Sequence, residues 1–117
     1  MGWKQGMMTF YSDLYCDESI QKKKKNIIRK IRRNAGQLSV YVIAVSAGND
    51  LFDIFHVGML KQALFPKDEL RIIGLASSHE MAVNLAVRMV TDFFAAYGTW
   101  QFKEKLLVLE ESKWRSF

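Results

Sequence analysis

Two short apolar runs constrain this chain more than any other feature: residues 39–45 (SVYVIAV) and residues 70–75 (LRIIGL). Both are β-branched and apolar on alternate and adjacent positions alike, which suits strands covered on both faces. A turn of small or polar residues follows each, and then an amphipathic pattern. VYVIAVSAGNDLF and LRIIGLASSHEMA align at an offset of 30 residues. Strand, turn and capped helix at that period make a βα unit. The pattern predicts an α/β fold with a small parallel sheet built from two such units.

The rest of the chain is read around them. Residues 1–11 look like an irregular N-terminal extension, with Trp3, Met7, Met8, Phe10 and Tyr11 available to pack. Asp17-Glu18-Ser19 looks like an acidic first helical turn. That helix is expected to reach about Ala35, with Gly36 as a left-handed cap. Asn49 or Asp50 is expected to cap a second helix that runs to about Leu64 and stops near Pro66. Ser77 or Ser78 should cap a third, whose positions Ala82, Leu85, Ala86, Met89, Val90, Phe93 and Tyr97 keep helical spacing up to Gly98. Residues 105–110 fit a short helix or a strand, with helix preferred. The expected order is α-β-α-β-α plus a C-terminal element, in a single domain over residues 1–117. Two parallel strands alone leave exposed edges, so a homodimer is the economical completion.

Charge is concentrated in one place. Residues 22–33 hold eight lysines and arginines and no acid. The whole chain has 17 basic and 12 acidic residues, so outside this stretch the acids outnumber the bases. At about 100° per residue, Ile20, Ile27, Ile28 and Ile31 share one face. Lys22, Lys23, Lys25, Arg29, Lys30, Arg32 and Arg33 share the other. Only Lys24 falls among the isoleucines, where its stem can lie along apolar surface. This is an ordered basic amphipathic helix, suited to nucleic-acid phosphates or to an acidic protein surface. It lacks interleaved aromatics for base stacking. Its apolar face lacks Trp and Phe and is needed for the core, which disfavours a membrane surface. No apolar run is long enough for a membrane span.

The two turns are candidate anion sites, since a strand-to-helix joint directs free N–H groups outward. Ser46, Gly48 and Asn49 would line the first, and Ser77, Ser78 and His79 the second. The first turn has one glycine, no Gly-Lys-Ser/Thr ending, and Asp50 where a phosphate would sit. Plain helix capping explains the same residues. Cys16 is the only cysteine, so it can form neither an internal disulfide nor a zinc set. A reducing, cytoplasmic home fits it. The first sixteen residues lack a continuous apolar segment, so no signal peptide is expected. Asp53 and His56 are three apart and would share a helical face, but no nucleophile or further ligand joins them. No metal set or cofactor loop can be named, so an enzyme is the least supported class and no cofactor is expected.

Phe10–Tyr15 (FYSDLY), residues 34–41 (NAGQLSVY), 60–62 (LKQ) and 73–76 (IGLA) resemble a family of small uncharacterised α/β proteins from anaerobic gut bacteria. The resemblance spans residues 9 to about 109. That family has no assigned activity, so the resemblance implies no catalytic residues. It implies a usual start at Met7 or Met8. These readings together lead to a non-catalytic interaction or regulatory module acting through self-association or a protein partner. The alternatives are nucleic-acid binding through residues 22–33 and a small anionic ligand at turns 46–50 and 76–80.

Overall fold

The computed structural model describes residues 8–33, 38–46, 48–62, 65, 70–98, 101–108 and 111–115. Its first element is a strand, β1 (Thr9–Cys16). A turn and a short 3₁₀ segment lead to α1 (Lys24–Arg33). Then come β2 (Tyr41–Val45), β3 (Phe52–His56), a 3₁₀ segment at Val57–Lys61, and β4 (Arg71–Ala76). The chain ends with α2 (His79–Tyr97), α3 (Phe102–Val108) and the two-residue β5 (Trp114–Arg115).

The strands form one five-stranded sheet in the order β3-β2-β4-β1-β5. Only β1 and β4 run parallel; β2–β3, β2–β4 and β1–β5 are antiparallel. This overturns the expected small parallel sheet with α-β-α-β-α order. Two residue-level readings were responsible. Asn49 and Asp50 do not start a helix: Ser46 N–H donates to Leu51 O at 3.1 Å, and the chain reverses into β3. Residues 9–11, expected to be irregular, belong to β1. The predicted cap at Gly36 lies outside the described residues.

β1 shows why the sheet is buried on both sides. Phe10, Leu14 and Cys16 join one apolar cluster, while Tyr11 and Tyr15 join the other. Alternation along a strand dictates that split. The first cluster takes in Ile27, Ile28 and Ile31 of α1, and the second Ala82, Leu85, Met89 and Phe93 of α2 with Phe102 and Leu106 of α3. The molecule is therefore three layers, with α1 on one face of the sheet and α2 and α3 on the other. Burying an isoleucine contributes roughly 1.5–3 kcal/mol, so the three α1 isoleucines anchor a helix that is otherwise almost wholly polar.

A bulge sets the facing of β4. Ile43 and Ala44 of β2 oppose Gly74 and Ile72, leaving Ile73 as an extra residue. Ile72 and Leu75 consequently point to the α1 layer, Ile73 and Ala76 to the α2 layer. A bulge shifts the facing of every residue beyond it, which explains why LRIIGL has no simple alternation. Gly74 sits at this bend, where an added Cβ would lie 2.6 Å from Met89 Cε and 3.0 Å from Ile43 Cδ1.

Local capping rules hold for α2. Ser78 Oγ accepts from Met81 N–H at 3.2 Å. Gly98 closes the helix in the left-handed region at φ 65°, donating to Phe94 O at 2.7 Å. Of residues 105–110, expected as helix or strand with helix preferred, the described part lies in helix α3, and the short strand β5 follows beyond that range.

Candidate polyanion cleft

α1 keeps its isoleucines inward and its cations outward. Lys22, Lys23, Lys25, Arg29, Arg32 and Arg33 are exposed, and Lys24 and Lys30 are half-buried. A cleft of about 680 Å³ runs between α1 and β1, walled by Lys24, Lys25, Arg29, Arg32 and Arg33 on one side. Tyr11, Ser12 and Leu14 of β1 form the other side, with Ile28 contributing apolar floor. β1 departs from regular pairing with β4 between Phe10 and Tyr15, next to this cleft. No carboxylate among the described residues pairs with the five cleft cations. Asp13, which lies in β1 between the cleft residues Ser12 and Leu14, is engaged elsewhere, 3.2 Å from Lys113 Nζ. Convergent cations with low-dielectric walls concentrate positive potential.

The structure thus divides the predicted basic set. Lys25, Arg29, Arg32 and Arg33 line the cleft, whereas Lys22, Lys23 and Lys30 do not. It adds Lys24, which the helical wheel had set apart among the isoleucines, and Ser12, which no local pattern marked. Tyr11 offers no stacking platform. Its ring is buried on the opposite side of the sheet, 5.4 Å from the Trp114 ring.

The two turns fare differently. No helix begins at residues 48–51, so the expected source of free N–H groups is missing there. Ser46 Oγ accepts from Gly48 N–H at 3.1 Å, and Lys103 Nζ donates to the carbonyls of Gly48 and Asp50 at 2.6 and 2.9 Å. Asn49 is exposed at the hairpin tip. At 76–80 a helix does begin, but an anion is already there. Asp17, 4% exposed, accepts through Oδ2 from Ser77 N–H at 2.6 Å. Its Oδ1 accepts from Ser19 N–H at 2.9 Å and from Ser19 Oγ–H at 2.5 Å. Burial alone would raise the Asp17 pKa, but these hydrogen bonds outweigh it and hold the carboxyl below its ordinary value. Asp17 therefore belongs to the amino end of α2 rather than opening α1, whose first turn carries no acid. Ser78 is occupied by capping, and His79 is exposed with its ring edge-on to Tyr41 at 5.7 Å.

A hollow of about 880 Å³ opens where the parallel strands β1 and β4 end, lined by Cys16, Asp17, Ser19, Ser77, Asn84 and Arg88 among others. Helices leave these strands toward opposite faces, the usual origin of such a crevice. Its thiol and its buried carboxylate are both held in unreactive states. Burial pushes the Cys16 thiol up to about 11; Lys24 opposes that rise and Asp17 adds to it. The thiol is thus protonated near neutral pH and a poor nucleophile. Both Asp17 oxygens are engaged. Tyr15, beside the hollow, is pushed to about 12 by burial and by its hydrogen bond to Asp92 at 3.1 Å.

His56 closes β3 instead of sitting in a helix. Residues three apart on a strand face opposite ways, so Asp53 cannot orient it. His56 Nδ1 accepts from Gly58 N–H at 3.0 Å, capping the following 3₁₀ segment, and its ring lies edge-on to Tyr41 at 5.3 Å. Among the described residues no three His, Cys, Asp or Glu side chains gather to hold a metal ion. No described helix is long and apolar enough to cross a membrane. Comparison with protein-family models, curated proteins and solved structures finds no match to the chain.

Proposed function

We propose that this chain is a non-catalytic binding module for polyanions, and that nucleic-acid phosphates occupy the α1–β1 cleft. One observation carries the reading: five cations unpaired by described carboxylates converge on one cleft, on a helix anchored by three buried isoleucines. The order of that helix matters. A trailing basic tail would have to be organised on binding, while these charges are held in register beforehand. With no ring among the described cleft residues available for stacking, the cleft reads backbone charge rather than sequence. An acidic protein surface is the other partner that this charge suits. A cytoplasmic location accords with both partners and with the lone cysteine. The protonated Cys16 thiol and the capping role of His56 support a binding role over a catalytic one.

Fluorescence anisotropy of labelled single-stranded DNA, duplex DNA and RNA tests this directly. Neutralising about five phosphates gives a log–log salt slope of roughly −3.5 to −4.5. Two charge-matched triple variants separate cleft from bulk charge. Lys25, Arg29 and Arg33 changed to Glu should abolish binding, whereas Lys22, Lys23 and Lys30 changed to Glu should weaken it much less. Equal losses would reduce the effect to net charge, and no binding at low salt would remove nucleic acid as the ligand. An acidic polypeptide probe in the same assay then separates the protein-partner reading.

The expected dimer rested on a two-strand sheet needing completion. With five strands in place that ground is gone, and self-association must be argued from another surface.

A further inference from the structure

We propose that the hollow at the carboxyl ends of β1 and β4 binds a small zwitterion, a free amino acid or a short peptide with both ends free, with its carboxylate on Arg88 and its ammonium on Glu18. The inference is independent of the polyanion reading. Position is the first argument. β1 and β4 are the parallel pair within the sheet, and the helices that follow them lie on opposite faces. A sheet opens a crevice where neighbouring parallel strands part in this way, and ligands of α/β proteins settle there. The hollow measures about 880 Å³, inside the range of roughly 300–1,000 Å³ for small-molecule sites. Glu18, Ser19, Gln21, Asn84 and Arg88 on its walls are all exposed, so it is open to solvent.

Charge selects the ligand. Glu18 enters the hollow from the turn after β1, and Arg88 from the third turn of α2. They are opposite charges on one hollow, yet they are not paired with each other: the only ion pair among the described residues joins Lys113 to Asp13. Asp92, one turn beyond Arg88, accepts from the Tyr15 hydroxyl instead, and the Arg88 guanidinium lies 5.9 Å from the Tyr15 ring centroid. The ring backs the guanidinium without using its N–H fork, the group that matches a carboxylate in two parallel hydrogen bonds. A ligand with one negative and one positive end satisfies both wall charges. A phosphate does not. Asp17, buried in the same wall, keeps its carboxylate ionised through the hydrogen bonds from Ser19 and Ser77. That fixed anion repels a phosphate and adds to the attraction for an ammonium. The remaining wall suits the rest of such a molecule. Gln21 and Asn84 supply amides that both donate and accept, and Met81, 37% exposed, supplies an adaptable apolar contact for its carbon skeleton. With the Cys16 thiol protonated, the site holds its ligand and does not transform it.

Backbone amide shifts of the isotope-labelled protein test this, read at Cys16 to Gln21 and Met81 to Arg88 during titration with the common amino acids, dialanine and trialanine. At least one should bind with a dissociation constant of about 1 mM or below. Blocking either end of that ligand, as the N-acetyl or the carboxamide form, should weaken binding about tenfold or more, as loss of a charged hydrogen bond does. Each end has its own variant. Arg88→Gln should bind the free acid no more tightly than the carboxamide, and Glu18→Gln should bind the free amine no more tightly than the N-acetyl form. Both positions are exposed, and the spectra of the variants report directly that the fold is kept. Tighter binding of a single amino acid than of the alanine peptides identifies free amino acids as the ligand, and the reverse order identifies peptides. No shift from any of these compounds at about 10 mM, inorganic phosphate binding more tightly than all of them, or a preference for free ends that survives both substitutions would overturn the proposal.

Discussion

On one side of the sheet, α1 turns Ile27, Ile28 and Ile31 inward and leaves a row of lysines and arginines in water. On the other, α2 turns Ala82, Leu85, Met89 and Phe93 inward and leaves Val83 and Val87 in water. The inward faces meet the same demand, removal of apolar area from solvent. The outward faces meet no such demand, and they diverge: α1 exposes a row of cations with Asn26 among them, while α2 exposes valines beside Glu80, Arg88 and Asp92. Packing explains the inner half of each helix, and the outer halves are free of that constraint.

The sharpest way to break this comparison is to ask whether the two layers are equal as cores. Ile72 and Ile73 are neighbours in β4 that point to opposite layers, at 0% and 2% exposure. Replacing either with Ala should cost about 2–5 kcal/mol in urea unfolding. A loss below about 1 kcal/mol at one of them would mean that its layer is loosely packed. Next in size is Asp17→Asn, which weakens the carboxylate bridge from the end of β1 to the start of α2. A loss of about 1–3 kcal/mol at pH 7 is expected, as for a weakened charged hydrogen-bond set. The pH dependence has a definite sign. The folded pKa of Asp17 lies below its unfolded value of about 3.9. Its contribution is therefore present above that pH and fades as pH falls through the lower folded value. The variant's stability should decline less steeply than wild type below about pH 4, and parallel acid limbs would show that Asp17 is not coupled to folding.

Gly98→Ala comes third. It places a Cβ in the left-handed region at the end of α2, for about 1–2 kcal/mol; a neutral result would mean that the cap relaxes. The smallest stability effect belongs to the exposed α1 face. Charge reversal at Lys25, Arg29 and Arg33 should change unfolding free energy by no more than about 0.5 kcal/mol while removing polyanion binding. A large destabilisation there would show that the cations take part in folding and would undo the distinction between inner and outer faces.

How much of this was legible depends on how local each signal is. The caps of α2, Ser78 and Gly98, were readable because a cap is a contact within a few residues. The isoleucine spacing of α1 was readable for the same reason. Residues 51–60 were misread because LFDIFHVGML supports two periodicities. Leu51, Ile54, Phe55 and Met59 suit a helix face, while Phe52, Ile54 and His56 alternate as in a strand. The Gly48-Asn49 pair was a hairpin signal, outweighed in the reading by Asn49 and Asp50 as apparent caps. The cleft was half legible. Its cations could be listed, but Ser12 and the separation of Lys25 from Lys22 follow from where β1 lies beside α1.

The sequence by itself determined the inventory: two buried strands at 39–45 and 70–75, a helix whose cations face away from its isoleucines, and an α2 with both ends marked. Those properties follow from backbone propensity and from periodicity within one or two turns. Only the tertiary structure decided that β2 runs antiparallel to β4, that β1 is parallel to β4 at the centre of the sheet, and that Asp17 serves α2 across 60 residues of chain. Strand direction and long-range partners depend on the competition among all pairings for one shared core. No local window contains that competition.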